Sequence, residues 1–367
     1  MRCYIVGGAV RDFIMGISPE DRDWAVVGSS VEEMLSLGFI PVGRDFPVFL
    51  HPETKEEYAL ARTERKFGKG YKGFTICAEP NVSLEQDLMR RDLTINAIAM
   101  DEEGNIFDPF GGVSDIKNKI LRHVSSAFSE DPLRVLRLSR FSARYPEFNV
   151  HPDTMELSRL MVQNGELNTL VEERVWQELS KGLAAPSPHK MFSFLFLCNA
   201  FFEIFKEFKY ITKDSDSISL FFSSSSDAVR DLAVPERFAY YFAEFLNIET
   251  LCSMCTRMKI PVIFRRLGMI WRRCLESSCT PPTTSSDIVE WFDTLDLWRC
   301  PDKFSSVSKI IASRMSTSTS VLDTLKTAFD ASRTVKLLPH EIALLSVKEI
   351  KDLLKRKRII AVSSAIY

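Results

Sequence analysis

The order of apolar and polar residues near the start of the chain predicts a strand, a glycine turn, a helix and a second strand. Tyr4-Ile5-Val6 is a short apolar run that stops at Gly7-Gly8. The segment from Ala9 to Gly16 has apolar residues at helical spacing and a glycine where a helix would end. Trp24 to Val27 is apolar again and predicts the next strand.

Short alternating segments continue through the following residues. We predict a helix over Val31 to Leu37 and strands over Phe39 to Val42, Val48 to His51 and Glu57 to Ala61. Arg62 to Thr75 combines glycines with lysine and arginine and has no apolar period. This composition predicts a mobile, positively charged loop.

Helical spacing dominates the remainder of the chain. Leu84 to Met100 predicts one helix, and the pattern is helical from Asp131 nearly to the end. Met191 to Phe205 is apolar enough for a buried helix, and the serine-rich residues 213–226 predict a loop or linker. The fold class expected from this order is α+β, with a mixed sheet first and helices after it.

Two features of the first segment indicate phosphate and metal chemistry. The two glycines would let backbone N–H groups approach an anion at Gly8, with Arg11 as a charged donor. Asp21 and Asp23 precede the second strand, where alternation points both carboxylates to one face, as Mg²⁺ binding requires. A Gly-Gly turn is usually only a turn, and an Asp-x-Asp pair more often lies on a solvated rim. Together they favour a metal-dependent nucleotidyl transferase over a dinucleotide-binding fold, whose glycine fingerprint is absent.

The helix that begins near Asp131 carries an unusual density of arginine. Arg134, Arg137 and Arg140 fall within an arc of about 120°, so one face is strongly cationic. Because no acidic stripe matches it on the same helix, this face favours binding of an anion. A plain surface helix is the alternative. A carboxylate and an arginine together can also distinguish cytosine and adenine from uracil and guanine. Cytosine and adenine each carry an amine, which donates to the carboxylate, beside a ring nitrogen, which accepts from the arginine.

Composition limits the classes of partner. The net charge is −2, so RNA binding would depend on local basic patches such as Lys351 to Arg358. The alternative interpretation of this run is the solvated end of a helix. The 8 cysteines are scattered, as in a reduced cytoplasmic protein. A zinc site at Cys252, Cys255, Cys274 and Cys279 is a minor alternative. We find no signal peptide, membrane span or feature that implies a protein partner.

Six sequence blocks, in order, resemble the class II tRNA nucleotidyltransferases (CCA-adding enzymes) and the related bacterial poly(A) polymerases. The resemblance is close over residues 1 to 185 and is greatest to the gamma-proteobacterial CCA-adding type. The blocks are Gly7-Gly8-Ala9-Val10-Arg11-Asp12, Asp21-Arg22-Asp23, Arg90-Arg91-Asp92-Leu93-Thr94-Ile95-Asn96-Ala97, Asp108-Pro109-Phe110-Gly111-Gly112, Glu130-Asp131-Pro132-Leu133-Arg134 and Glu173-Arg174-Val175-Trp176.

The resemblance implies a polymerase-beta-like head over residues 1–125, a helical neck and body with a nucleotide-selecting helix over 126–210, and a helical body and tail over 211–367. It implies CCA addition to the tRNA 3′ end from CTP and ATP, with Mg²⁺ as cofactor and the helical half gripping the acceptor and T arms. The implied metal-binding and catalytic residues are Asp21 and Asp23, and Glu57 is a candidate third carboxylate.

The same resemblance assigns roles around the nucleotide. Arg91 would contact the triphosphate, Asp92 would accept from the ribose 2′-OH, and Asn96 would support one of these two. Asp131 and Arg134 would read the base, with Arg137 and Arg140 near the nucleotide. Glu173 to Trp176 would belong to a helix that serves packing.

One departure from the nearest relatives concerns the C-terminal half. Those relatives carry a metal-dependent phosphohydrolase domain with His and His-Asp ligands, whereas this chain has 5 histidines and none is followed by Asp. We therefore predict no phosphohydrolase activity. A poly(A) polymerase, or an enzyme that adds only CC or only A, shares the same active-site residues. A catalytically inactive RNA-binding protein is the alternative from another class.

Overall fold

The computed structural model describes residues 1–19, 21–42, 47–66, 74–211, 214–225, 227–277, 282–315, 319–343 and 345–366. The chain forms two compact units, Met1–Ile204 and Phe205–Tyr367. The strands, all in the first unit, are β1 (Arg2–Val6), β2 (Asp23–Val27), β3 (Ile40–Val42), β4 (Val48–Leu50), β5 (Glu57–Leu60), β6 (Thr63–Lys66), β7 (Phe74–Cys77), β8 (Ala99–Met100), β9 (Ile106–Phe107), β10 (Ile120–Leu121) and β11 (Asn149–Val150).

Helices follow and interleave with these strands. In the first unit they are α1 (Gly8–Ile14), α2 (Val31–Ser36), α3 (Leu84–Met89), α4 (Gly112–Lys117), α5 (Leu133–Arg144), α6 (Pro152–Gln163), α7 (Glu172–Ala184), α8 (Pro188–Leu197) and α9 (Phe201–Ile204). In the second unit they are α10 (Ser215–Ser224), α11 (Val234–Phe242), α12 (Ile248–Arg257), α13 (Val262–Glu276), α14 (Ser285–Thr294), α15 (Lys303–Met315), α16 (Thr319–Arg333), α17 (Pro339–Ile342) and α18 (Val347–Ile366). The predicted α+β class, with a mixed sheet before helices, is confirmed.

The seven-stranded mixed sheet has the order β3-β4-β5-β2-β1-β8-β9. β1 is antiparallel to β2, and β2 is parallel to β5, which places Asp23 directly beside Glu57. On one face, Tyr4, Val6 and Ala25 pack with Leu88 and other buried residues. This apolar layer packs against β1 and β2, whose neighbouring ends carry the glycine turn and the aspartate pair.

The prediction of one helix over Leu84 to Met100 is wrong beyond Met89. α3 ends there, a 3₁₀ turn covers Thr94–Asn96, and Ala99–Met100 pairs with β1 as β8. Leu93, Ile95 and the alanines beside them are fully buried. A segment that is apolar on all sides lies inside the unit, and pairing with a distant strand outweighs local helical preference there.

Three other local expectations differ from the structure. Arg62 to Thr75 is not a simple loop, because β6 and β7 form an antiparallel ribbon; residues 67–73 lie outside the described chain. In the serine-rich segment 213–226, α10 forms instead of a linker, because Asp214 caps it and it buries Ile218 and Phe222. The apolar run from Met191 is two helices, since Asn199 adopts a positive φ of 62° between α8 and α9.

The second unit is built around aromatic residues. Phe205, Phe208, Phe222 and Phe242 are buried and contact one another at ring-centroid distances of 5.1–6.3 Å. Among the described residues, no three His, Cys, Asp or Glu side chains are placed to hold a metal ion. Cys279, one member of the proposed zinc set, lies outside them. The described helices include none that is long and apolar enough to cross a membrane.

Candidate active site

The carboxylates predicted to bind metal lie at the end of the sheet. Asp23 is the first residue of β2, Asp21 lies two residues before it, and Glu57 is the register partner of Asp23 on β5. All three are exposed and line a polar cavity of about 770 Å³. Partial loss of hydration around its carboxyl raises the pKa of Asp23, the charge of Arg91 lowers this pKa, and the charge of Asp21 raises it further.

The glycine turn lies against Arg91. Gly7 has a positive φ of 71°, which few residues with a side chain adopt. A Cβ atom at Gly7 would lie 2.9 Å from Nη1 of Arg91, so the absence of a side chain permits this close approach. The structure therefore brings the turn, Arg91 and Asp23 to one place.

The carboxylate of Asp87 fixes the position of the Arg91 side chain. Its carboxylate accepts from Nη2 of Arg91 at 3.2 Å and from Nη2 of Arg90 at 2.7 Å. It also accepts from the backbone N–H of Arg62 at 3.3 Å, just before β6. Burial raises the pKa of Asp87, but Arg90 and Arg91 outweigh it, so the pKa lies below its ordinary value. This ionised carboxylate anchors both Arg91 and the start of the ribbon.

Asp92 and Asn96 are buried side by side. Asn96 Nδ2 donates to Asp92 Oδ1 at 2.9 Å, and Arg137 Nε donates to Asp92 Oδ2 at 2.8 Å. Burial raises the pKa of Asp92, but the charge of Arg137 and these hydrogen bonds hold it far below the ordinary value. Asp92 is thus an ionised acceptor that connects the 3₁₀ turn to α5.

Arg11 differs in position from the other predicted phosphate ligands. It is 4% exposed, and Nη1 donates to Asn96 Oδ1 at 2.6 Å. Its Nε donates to Asp12 Oδ1 at 2.9 Å. The structure places this guanidinium next to Gly8, where it is hydrogen-bonded to the side chains of Asp12 and Asn96.

The two residues predicted to read the base lie at the start of α5, Asp131 just before it and Arg134 in its first turn. Asp131 accepts from the Leu133 N–H at 3.0 Å, which starts the helix, and from Arg174 Nη2 at 3.0 Å. Arg134 donates to the backbone carbonyls of Ala127, at 2.8 Å, and Arg90. The two side chains therefore each have a protein partner in this structure.

The remaining arginine of this face, Arg140, donates through Nε to Glu178 Oε2 at 2.5 Å. The cationic face of α5, which has no acidic stripe on its own helix, is therefore matched by acid groups from other elements. Asp92 and Glu178 supply them from the 3₁₀ region and from α7. Long-range partners of this kind are invisible to an analysis of one helix at a time.

Comparison with protein families gives two matches. Residues 3–122 match the family described as "Poly A polymerase head domain". Residues 147–211 match "Probable RNA and SrmB- binding site of polymerase A". The matched head includes the glycine turn, the aspartate pair and the Arg91–Asn96 segment.

Curated relatives extend the likeness along the whole chain. The multifunctional CCA protein of Aliivibrio salmonicida is 38% identical over 404 aligned positions, which cover 100% of this chain and 99% of that protein. This chain belongs to the family of CCA-adding enzymes and multifunctional CCA proteins. A second multifunctional CCA protein, from Leptothrix cholodnii, is 43% identical over 83% of this chain and 80% of that protein.

Other members of the CCA-adding family match a little over half of the chain. The CCA-adding enzyme of Coxiella burnetii is 58% identical over 209 residues, which cover 57% of this chain and 56% of that protein. The matched region thus spans about half the length of such curated relatives.

Solved structures of CCA-adding enzymes have the same fold as this chain. The Bacillus stearothermophilus CCA-adding enzyme in complex with CTP superposes with a TM-score of 0.73 at 22% identity, covering 99% of this chain and 89% of that one. A CCA-adding enzyme with ATP gives 0.70 at 22% identity, covering 98% and 86%.

Four residues around the site of this CCA-adding family member escaped the sequence analysis as functional candidates: Asp12, Asp87, Arg174 and Glu178. Arg174 and Glu178 are one helical turn apart on α7, so their spacing could have indicated a shared face. Their partners are Asp131, just before α5, and Arg140 on α5, which lie 43 and 38 residues away in sequence, and no local pattern identifies them.

Proposed function

We propose that the chain is a CCA tRNA nucleotidyltransferase that adds CCA to the tRNA 3′ end from CTP and ATP without a nucleic-acid template. The observation that carries the proposal is the meeting of three groups: the Gly7-Gly8 turn, Arg91, and the exposed carboxylates Asp21 and Asp23 beside a polar cavity. Family membership along the full chain supports it.

The carboxylates fit Mg²⁺ chemically. Mg²⁺ is commonly held by one or two carboxylates, with substrate phosphates and water completing its ligands. Asp21 and Asp23 are such a pair, and Glu57 is in register beside them. Bound Mg²⁺ would make the tRNA 3′-OH more acidic and would stabilise negative charge on the α-phosphate.

The chain's own residues position the reactants. The 3′-oxygen forms a bond to the α-phosphorus as the bond to the β-phosphate oxygen breaks, and pyrophosphate leaves. Arg91 and the Gly8 backbone would bind the triphosphate, with Arg137 and Arg140 sharing their charge between it and their protein carboxylates. The 2′-OH would compete with Arg137 for Asp92.

Base selection is assigned to the start of α5. Asp131 would accept from the exocyclic amine of cytosine or adenine, and Arg134 would donate to the adjacent ring nitrogen. Both now bind protein groups, so the base would have to replace or share those contacts. Such a requirement favours a base that offers both a donor and an acceptor.

RNA would be bound by the helical part of the chain. The family match over residues 147–211 supports RNA contact there. We assign residues 1–125 to the catalytic head, 126–210 to the neck and body, and 211–367 to a body and tail that grip the acceptor and T arms. The cytoplasm, where tRNA is processed in bacteria, is the proposed location.

The test is extension of a tRNA that lacks its 3′ CCA, with Mg²⁺ and with CTP, ATP or both, read at nucleotide resolution. We expect two C residues and one A, after which extension stops. A ladder of A residues would make the chain a poly(A) polymerase, and arrest after CC would indicate a CC-adding enzyme. No extension would favour a catalytically inactive RNA-binding protein.

The Asp23→Asn variant should lose incorporation of both nucleotides by at least about 10³-fold while still binding tRNA, because the metal-binding charge is lost. Glu103→Gln, on the exposed turn between β8 and β9, is the matched control and should retain full activity. Full activity in Asp23→Asn would show that the metal assignment is wrong.

A further inference from the structure

A second cavity, called the Trp298 cavity below, lies in the second unit and shares no residue with the catalytic cavity. It has a volume of about 340 Å³ and lies between the turn after α14, α16 and α18. Its lining combines two aromatic rings, two guanidinium groups and a carboxylate, which belong to Trp298, Phe329, Arg333, Arg358 and Asp302. Small-molecule sites in proteins have volumes of roughly 300–1,000 Å³, so the Trp298 cavity is large enough for one small ligand.

The aromatic side chains of the cavity belong to a set of nearly parallel planar groups. The ring centroids of Phe304 and Phe329 are 4.4 Å apart with an interplanar angle of 6°, and those of Phe329 and Trp298 are 5.9 Å apart at 15°. The guanidinium carbon of Arg358 lies 3.8 Å from the centroid of the Trp298 ring. Asp293 holds these last two groups together, because it accepts from Trp298 Nε1 and lies 4.0 Å from Arg358 Nη1. The cavity therefore has a preformed flat surface on which a further planar group can stack.

Arg358 has hydrogen-bonding capacity that the described residues do not use. Its side chain is 16% exposed, and its Nε is buried with no hydrogen-bond partner in the part of the chain that the structure describes. The distance of 4.0 Å to Asp293 is too long for a hydrogen bond. Burial lowers the pKa of Arg358, and the charge of Asp293 offsets only part of this effect. An anion in the cavity would supply a closer counter-ion.

Arg333 adds a second cation to the same cavity. It lies one helical turn after Phe329 on α16, so both side chains are on one face of that helix. The Arg333 side chain is 55% exposed, and its ion pair with Asp330 is long, at 3.8 Å. Asp302 also lines the cavity, but its carboxylate is paired with Lys303 at 2.5 Å. The two arginines therefore give the cavity an excess of positive charge beside its flat surface.

We propose that the Trp298 cavity is a nucleotide-binding site, in which a base stacks on the surface formed by Trp298 and Arg358 and a phosphate binds the arginines. A planar ring that carries an anion uses both features, whereas an inorganic anion uses only the charge and an apolar compound only the rings. A free nucleotide and an unstacked nucleotide of an RNA strand offer the same chemistry. The inference does not depend on the proposed nucleotidyl transfer.

Photochemical labelling of the full-length protein locates the ligand. The probe is an azido derivative of AMP, used without Mg²⁺, and the labelled peptides are identified by mass spectrometry. We expect label on residues 295–302, on α16 or on α18, which together line the cavity. Absence of label from all three segments would overturn the proposal, whether or not the first unit is labelled.

Competition with unlabelled compounds identifies the chemistry and the source of the ligand. AMP should displace the probe at a concentration at least about tenfold lower than ribose 5-phosphate, adenosine or inorganic phosphate, because each of these lacks the base or the phosphate. If inorganic phosphate or adenosine displaced the probe as well as AMP does, the cavity would not be a nucleotide site. Displacement by tRNA lacking CCA at a lower concentration than AMP would identify RNA as the source, and displacement by AMP alone would identify a free nucleotide.

Two variants and a matched control test the arginines. Arg333→Gln should raise the AMP concentration needed for displacement roughly tenfold, because one charge-assisted contact to the phosphate is lost. Arg299→Gln is the control, because Arg299 is also exposed and also pairs with an aspartate three residues away, at 3.7 Å, but lies outside the cavity lining. Arg358→Lys keeps the charge and removes the planar group, so the advantage of AMP over ribose 5-phosphate should shrink.

Because Arg358 is partly buried, thermal unfolding of each variant accompanies the labelling. Should Arg358→Lys be unfolded at the assay temperature, Arg333→Gln still decides, since its side chain is exposed and its loss leaves the packed rings in place. Displacement by AMP at the wild-type concentration in Arg333→Gln would overturn the assignment of the phosphate to the arginines, and with it the proposal.

Discussion

At the scale of single residues, the candidate site is held by charged pairs that a nucleotide would have to share. Arg137 binds Asp92 and Arg140 binds Glu178, both partly buried. An uncompensated charge in such surroundings is costly, so the protein carboxylates keep the arginines in place before substrate arrives. Under the proposed function, a triphosphate would add charge to guanidinium groups that are already positioned, which would lower the entropy cost of binding.

Base choice is the first prediction at this scale. Asp131→Ala should raise misincorporation of UTP and GTP by roughly tenfold, more than it slows addition of CTP, because the acceptor for the exocyclic amine is lost. Competition assays with all four triphosphates on tRNA lacking CCA measure this effect.

Asp131 also accepts from the Leu133 N–H at 3.0 Å, so its removal weakens the start of α5. Asp131→Asn serves as the control, because the amide oxygen can still cap the helix and accept from an amine. We expect it to stay closer to the wild-type base choice. If Asp131→Ala excluded UTP and GTP as well as the parent does, the base-reading role would be refuted.

At the scale of elements, the sequence predicts those helices, strands and turns whose formation depends on residues close together in the chain. β1, the glycine turn, α1, β2 and α5 all form as expected, because periodicity and turn chemistry are local. The segment from Leu84 to Met100 departs from its pattern because Ala99 pairs with Val6, more than ninety residues earlier. Partners such as Glu178 for Arg140 were missed for the same reason.

Asp87 on α3 connects two elements, and its removal is the next prediction. Asp87→Asn should raise KM for CTP and ATP roughly tenfold, because Arg91 loses a charge-assisted hydrogen bond that fixes it beside the glycine turn. KM for tRNA should change little. Steady-state kinetics with each substrate varied in turn test this.

Glu85→Gln, at an exposed position of the same helix, is the matched control. The melting temperature of Asp87→Asn should also fall, since the carboxylate anchors the backbone of Arg62 at the start of the ribbon. A lowered melting temperature with an unchanged KM for both triphosphates would mean that Asp87 only supports the fold.

At the scale of the whole molecule, the net charge of −2 provides no long-range attraction for RNA. The proposed contact with tRNA would therefore have to come from local cations that are not already paired within the protein. On α18, Lys355 and Lys357 form ion pairs with Glu290 and Glu341. Lys348 and Lys351 are exposed and make no ion pair within the part of the chain that the structure describes.

Because α18 carries both paired and unpaired lysines within the described chain, the last prediction compares the two pairs. Replacing Lys348 and Lys351 by glutamine should weaken tRNA binding and reduce the slope of log affinity against log salt by about one for each lost phosphate contact. Replacing Lys355 and Lys357 should instead lower thermal stability and leave that slope nearly unchanged, because their charge is neutralised within the second unit. Equal slopes in all three proteins would mean that this face of α18 does not contact RNA, and that the tRNA contacts lie elsewhere, with residues 147–211 the first region to test.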